Sequence, residues 1–252
     1  MKLFLPQNIF SEIFLSALNS VKEIKSEFIP SALLVKKLLD EPGSVALIPT
    51  LDLINHKELF ISSEIGISFD GPISNSMIYF KHGDEDLSEL ILNGDVSTNE
   101  VILSKIIFKE LYNLDVSVSL NSTGEITSDK NFLVTGSENF QKNRFLNGIT
   151  LAEEVTELIN APYVNFILAS TSEDSLKEFV NVYKNDLGNT DALNFVSIFK
   201  DQSQQAMEFI VSNIQHLIFT FDEQDIEGIK HLLELPYYHG IIKEMIDIKF
   251  VS

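Results

Sequence analysis

The apolar positions of this chain fall into two rhythms. Short unbroken runs, KLFLP at 2–6, SVALIPT at 44–50, NFLVTG at 131–136 and YVNFILAS at 163–170, predict buried strands. VSVSLN at 116–121 alternates with period two, as a strand with one wet face does, and SMIYFK at 76–81 reads as another strand. Helical spacing appears where Ile9, Ile13, Leu18 and Val21 recur with Phe10 and Phe14 beside them. It recurs in SALLVKKLLD after Pro30, with Ser31 as cap, in VSTNEVILSKIIFKELYNL, and in LAEEVTELINA, which ends at Pro162. SEDSLKEFVNVYKNDLG is a helix stopped by Gly188; SQQAMEFIVSNIQHLIF and DEQDIEGIKHLLELPYY are two more. LSELI predicts a short helix after an acidic loop at Asp84–Asp86, and IDIKF a closing strand.

Strands and helices mostly alternate, about eight and seven of them, which argues an α/β fold with parallel sheets. Two extended segments, 65–80 and 162–170, read as paired crossings between two lobes. The expected organisation is one discontinuous lobe, 1–72 with 170–252, and a second, 73–169, inserted into it with a cleft between them.

Charge narrows the partners. The 252 residues carry a net charge of −19, which repels nucleic acid and anionic membranes. No apolar stretch approaches the length of a membrane span, and MKLFLPQNIF lacks the longer apolar core of a secretory signal. A cytoplasmic location is expected; the oligomeric state is open. With no cysteine, disulfides, thiolate metal sites and a cysteine nucleophile are excluded. Arg144 is the only arginine, hence the one candidate for an arginine clamp on a carboxylate.

The candidate chemistry is polar residues at element ends. In SFDGPISNSMIYF, Asp-Gly-Pro breaks an apolar run and Ser74, Asn75 and Ser76 follow before the next. These three form either a polar turn or one face of a cleft; strand alternation puts Asn75 opposite Ser74 and Ser76. Ser97-Thr98-Asn99-Glu100 has the spacing of a capping box, in which Glu100 reaches back to the Ser97 N–H. His56, His82, His216, His231 and His239 show no metal-ligand spacing, and no phosphate-loop, dinucleotide or nucleophile-elbow motif is present.

The segment from SALLVKKLLD through VALIPTLDLI to GISFDGPISNSMIYF resembles the chorismate dehydratase family of the futalosine route to menaquinone. The likeness continues, in order, through LAEEVTELINAPYVNFILAS and DIEGIKHLLELPYYHGIIKEMIDIKF, over nearly the whole chain. The resemblance implies a type 2 periplasmic-binding-protein fold without a periplasmic address. The reaction it implies is elimination of water from chorismate to 3-[(1-carboxyvinyl)oxy]benzoate, with no metal or organic cofactor. It puts Asn8 at the family's catalytic asparagine, though Asn8 is equally a helix cap. Asn75 falls on the family's ligand-facing serine. Ser97, Thr98 and Asn99 fall on its carboxylate cradle, with Glu100 where the family has serine. Gly136 and Ser137 fall on its Gly-Asp loop, without the aspartate. The ligand so implied is a small carboxylate between the lobes. A non-catalytic binding protein on the same scaffold, or a sister lyase acting on another menaquinone precursor, are the alternatives.

Overall fold

The structure, a computed structural model, describes residues 1–18, 24–81, 87–141, 143–187 and 198–252. The end of the first expected helix, the acidic loop at Asp84–Asp86, His82 and the stop at Gly188 lie outside the described residues. Among those described, twelve strands form two sheets.

The first sheet holds β1 (Lys2–Pro6), β2 (Lys25–Ile29), β3 (Val45–Pro49), β4 (Phe60–Phe69), β10 (Tyr163–Ser170), β11 (Leu217–Thr220) and β12 (Lys249–Val251). Its order is β11-β4-β10-β3-β1-β2, with β12 also on β4. The second holds β5 (Ser76–Tyr79), β6 (Glu89–Gly94), β7 (Ser117–Leu120), β8 (Phe132–Thr135) and β9 (Ile149–Thr150), in the order β7-β6-β8-β5-β9. Helices α1 (Ile9–Ala17), α2 (Leu34–Asp40), α6 (Glu173–Leu187), α7 (Gln204–Ser212) and α8 (Glu223–Tyr238) accompany the first sheet in sequence; α3 (Thr98–Tyr112), α4 (Glu138–Gln141) and α5 (Leu151–Ile159) accompany the second. The fold is α/β, two-lobed, with the middle of the chain inserted into the first lobe.

The sheets are mixed rather than parallel. β1 runs parallel to β2 and β3, but β10 is antiparallel to both β3 and β4. The reason is the insertion. The chain leaves the first sheet at Phe69 and returns at Tyr163, directly opposite in the ladder, so the returning strand runs back alongside the departing one. Two further expectations change, and one strand was not expected. LSELI is the start of β6, because Leu90, Ile91 and Leu92 are buried between β7 and β8, and this pairing overrides a short helical pattern. The helix expected over 203–219 stops at Ser212: Asn213 turns its amide back to the Phe209 carbonyl at 2.8 Å, and Leu217–Thr220 pairs with β4. β2 has no periodic signal because three of its five residues are exposed on a sheet edge.

One apolar cluster runs through both lobes. Phe10 of α1 is fully buried and packs edge-on against Phe69, centroids 5.0 Å apart, and against Phe140 of α4 at 5.7 Å. The end of β4 and one helix from each lobe therefore meet on a single ring. Phe145 stacks on Phe209 of α7 at 4.7 Å, a second contact between the inserted segment and the rest.

The end of β6 is fixed by its backbone. Gly94 has φ +95°, and a Cβ there would lie 2.0 Å from the Thr135 carbonyl oxygen of β8. Gly94→Ala is therefore expected to lose at least about 2 kcal/mol, from positive-φ strain and the forced separation of two strands. Urea unfolding checks this; a wild-type midpoint would show that β6 and β8 part there without cost.

Candidate functional site

Helix α3 begins at the junction of the lobes, and its first turn decides what the cleft can hold. Four N–H groups at a helix start have no partner within the helix and attract anions. Here the anion is the chain's own. Ser97 and Glu100 form a reciprocal capping box. Glu100 accepts from the Ser97 N–H at 2.8 Å, the Ser97 hydroxyl at 2.6 Å and the Ser76 hydroxyl at 2.9 Å. It is 1% exposed. Burial pushes its carboxyl above the ordinary value, against the lowering effect of those bonds.

The next two residues bind the other lobe. The Asn99 side chain is fully buried: its Oδ1 accepts from Leu51 N at 2.9 Å, and its Nδ2 donates to Asn165 O at 2.7 Å and Asn165 Oδ1 at 2.9 Å. The Tyr163 hydroxyl donates to the same Asn165 Oδ1 at 3.0 Å, and burial pushes Tyr163 well above its usual pKa. The Thr98 hydroxyl donates to Asp52, whose carboxyl burial also raises. A reciprocal contact lies further along. Asp95, just after β6, accepts from the Ser31 N–H at 2.8 Å and the Ser31 hydroxyl at 2.6 Å. Each lobe thus extends a carboxylate to donors of the other: Asp95 to Ser31, Asp52 to Thr98. A hollow of about 580 Å³ lies against these contacts, lined from both lobes by Pro30, Ala32, Asp95, Thr98 and Val101 among others.

Of the residues named from sequence, Ser97, Thr98 and Asn99 are therefore engaged within the protein. Gly136 donates its N–H to the Asn75 carbonyl at 2.8 Å and sits beside Asp95; Ser137 follows, its carbonyl accepting from Phe140 and Gln141. Asn75 is fully buried, just before β5, and neither polar atom of its carboxamide has a partner. Its carbonyl also accepts from Asn139 Nδ2 at 3.2 Å. Ser74 Oγ accepts from the Ser76 N–H, so the two serines are used locally and on Glu100 while the Asn75 side chain is not. Asn8 caps α1, its Oδ1 accepting from Ser11 N at 2.9 Å, but its Nδ2 is buried without a partner. Asn8 lies two residues before Phe10, which touches Phe140, the neighbour of Asn139. No contact joins the Asn8 and Asn75 side chains among the described residues, and neither lines the hollow between the lobes.

Sequence reasoning missed Asp52, Asp95 with Ser31, and Asn165. Asn165 carried a signal, a single amide within the apolar run YVNFILAS; the others did not. Of the described histidines, His231 bonds the Ile159 carbonyl and His216 the Asp70 carbonyl, and His56 and His239 stand beside Glu58 and Glu110. No three His, Asp or Glu side chains gather as for a metal ion among the described residues. No helix there is long and apolar enough to cross a membrane.

The chain has the fold of two-lobed periplasmic-binding-protein-like proteins. It is similar over 99% of its length to the periplasmic aliphatic sulphonate binding protein SsuA from Escherichia coli, covering 90% of that chain with a TM-score of 0.65 at 6% identity. It is similar to the ligand binding component of an ABC-type import system from Staphylococcus aureus, a structure with zinc bound, with a TM-score of 0.64, 11% identity and coverage of 100% and 96%. Protein AF1704 from Archaeoglobus fulgidus matches with a TM-score of 0.60, 13% identity and coverage of 96% and 98%. No family model and no curated protein sequence matches the chain.

Two outcomes follow from this geometry. A carboxyl with a raised folded-state pKa holds its proton more tightly in the folded chain. Its stabilisation is fully present below the unfolded value of about 4.5 and is lost as pH rises through the folded one. Glu100→Gln keeps the box without the ionisation, so the variant should gain stability relative to wild type between pH 4 and pH 7.5. Urea melts at both pH values test this, and a relative loss on raising the pH would contradict it. Asp95→Ala removes one cross-lobe carboxylate and should increase the radius of gyration in small-angle scattering, with the melting temperature lowered by only a few degrees; an unchanged radius would show that this contact does not hold the lobes.

Proposed function

We propose that the chain binds a small organic carboxylate between its lobes, with the carboxamide of Asn75 as the principal polar contact and Asn8 Nδ2 as a second. The observation that carries this reading is Asn75 itself. Leaving a buried amide without partners costs on the order of 1–3 kcal/mol per group, and a bound ligand is one way such a group is satisfied. An amide offers both a donor and an acceptor, which suits a carboxylate flanked by a hydroxyl. SsuA, on the same fold, is named as a binder of aliphatic sulphonates, which are likewise small organic anions.

The occupied start of α3 separates this chain from a site that takes its anion on helix N–H groups. Glu100 already fills that position, and Ser97 and Thr98 give their hydroxyls to Glu100 and Asp52. Neutral amide recognition at Asn75 is what remains, and it favours a binding role over turnover.

A second reading is a chorismate dehydratase-type lyase, favoured by Asn8 at the end of β1, where the resemblance puts the family's catalytic asparagine. Asn8 would orient the substrate near the departing hydroxyl, and lobe closure would exclude water. One experiment separates the two. Chorismate is titrated into the protein by calorimetry, and the mixture is then searched by mass spectrometry for the dehydrated enol ether. Binding without product supports the binding role, and product supports the lyase. Asn75→Ala should weaken binding by roughly 1–3 kcal/mol while leaving the urea midpoint unchanged or higher, since the wild-type amide is unsatisfied. Unchanged affinity in a folded Asn75→Ala variant would remove Asn75 from the site.

A further inference from the structure

The second lobe carries a pocket whose charge runs against the rest of the molecule. It has a volume of about 290 Å³ and lies between the end of β5, the segment before β8 and the turn after α4. Its cations are Arg144, the only arginine of the chain, and Lys130. Tyr79, Phe80 and Ile126 make an apolar, largely aromatic wall, and Thr127, Ser128 and Asn147 complete it. No carboxylate lines it among the described residues, in a protein with 37 acidic side chains. Four other hollows each include at least one: Glu89, Glu125 and Asp129 in one, Asp95, Asp247, and the pair Glu27 and Asp40 in the others.

The arginine is incompletely used. Its Nε is buried and has no hydrogen-bond partner. Among the described residues its one ion pair is Nη2 to Glu138 Oε1 at 3.7 Å, beyond hydrogen-bonding distance, and Glu138 also accepts from Asn93 Nδ2 at 3.0 Å. A guanidinium holds a carboxylate through two parallel N–H donors, and in Arg144, whose Nε is buried and whose side chain is only partly exposed, the Nη groups can form such a fork. The neighbours are tied down in ways that limit the ligand. The Tyr79 hydroxyl donates to Asn139 Oδ1 at 2.9 Å, so Tyr79 offers its ring rather than its oxygen. Lys130 stands on the ridge shared with the neighbouring acidic hollow. The fork of Arg144 is therefore the strongest anion donor in the pocket.

We propose that this pocket binds a small aromatic carboxylate, its carboxylate on Arg144 and its ring against Tyr79 and Phe80. The volume lies just under the range for ligand pockets, roughly 300–1,000 Å³, which fits a single ring rather than a nucleotide. The site lies at the Tyr79 end of β5, whereas Asn75 precedes the other end at Ser76; it is a different hollow from the one between the lobes, although Asn139 bonds both the Tyr79 hydroxyl and the Asn75 carbonyl.

A sole arginine gives a single Nε–Hε resonance, which reports on this pocket alone. Uniformly ¹⁵N-labelled protein at neutral pH is titrated with sodium benzoate, sodium acetate, sodium phosphate and sodium chloride at matched ionic strength. The expected result is a saturable shift with benzoate, with acetate and phosphate each about tenfold weaker and chloride without effect. Lys130→Gln, which keeps the reporter, should weaken benzoate severalfold. Arg144→Gln should abolish the benzoate heat in calorimetry while the far-ultraviolet circular dichroism stays that of wild type. Absence of saturation with benzoate, equal shifts from benzoate and chloride, or tighter binding of phosphate than of benzoate would each overturn the proposal. Should Arg144→Gln fail to fold, the wild-type titration and Lys130→Gln decide it alone.

Discussion

The first turn of α3 has donors to satisfy at the place where two lobes meet, and the way it does so sets the character of the molecule. A helix start inside a cleft must find acceptors or bind an anion. This chain supplies the acceptor from within the same turn, on Glu100. Having done so, it can use the adjacent side chains for another purpose, and it uses them to hold the lobes. Thr98 and Asn99 reach Asp52, Leu51 and Asn165 of the first lobe, and Asp95 reaches Ser31. Between its two halves this chain holds its own carboxylates.

What was legible in the sequence was what is local. The S-x-x-E box lies within four residues, and the helix, the cap and the partner of Glu100 could all be read from it. Runs such as VALIP and YVNFILAS announced buried strands because every residue of each is buried. The cross-lobe contacts were not legible, because their partners lie 64, 46 and 66 residues apart and no periodicity encodes them. Strand direction failed for a related reason. Nothing in YVNFILAS says that it returns beside β4 rather than continuing a parallel series; that follows from where the inserted segment closes. LSELI misled because five residues can satisfy either period, and only the flanking strands settle which one applies.

Electrostatics gives the same division at larger scale. The net charge of −19 argues for a solvated, self-repelling surface, but it does not show where the scarce cations are spent. Arg144 stands in a concave aromatic site with Lys130, while Lys2, Lys37 and Lys177 make solvent-accessible pairs of the kind that contribute little to stability. The sequence count marked Arg144 as singular; its surroundings show that it lies in a pocket apart from the cleft.

The order of strands in the first sheet carries a mechanical consequence. The chain crosses between lobes only at the adjoining ends of β4 and β10, so relative motion pivots there. Asn165 sits on β10 itself, Leu51 and Asp52 follow β3, one strand away, and Ser31 follows β2, three strands away. With neighbouring strands about 4.8 Å apart, the Asp95 contact has a lever arm of about 14 Å and the Asn99–Asn165 contact almost none. A small rotation about that line would stretch the Asp95–Ser31 bond before the Asn99–Asn165 pair, as a clasp hinged at one edge gives first at its rim.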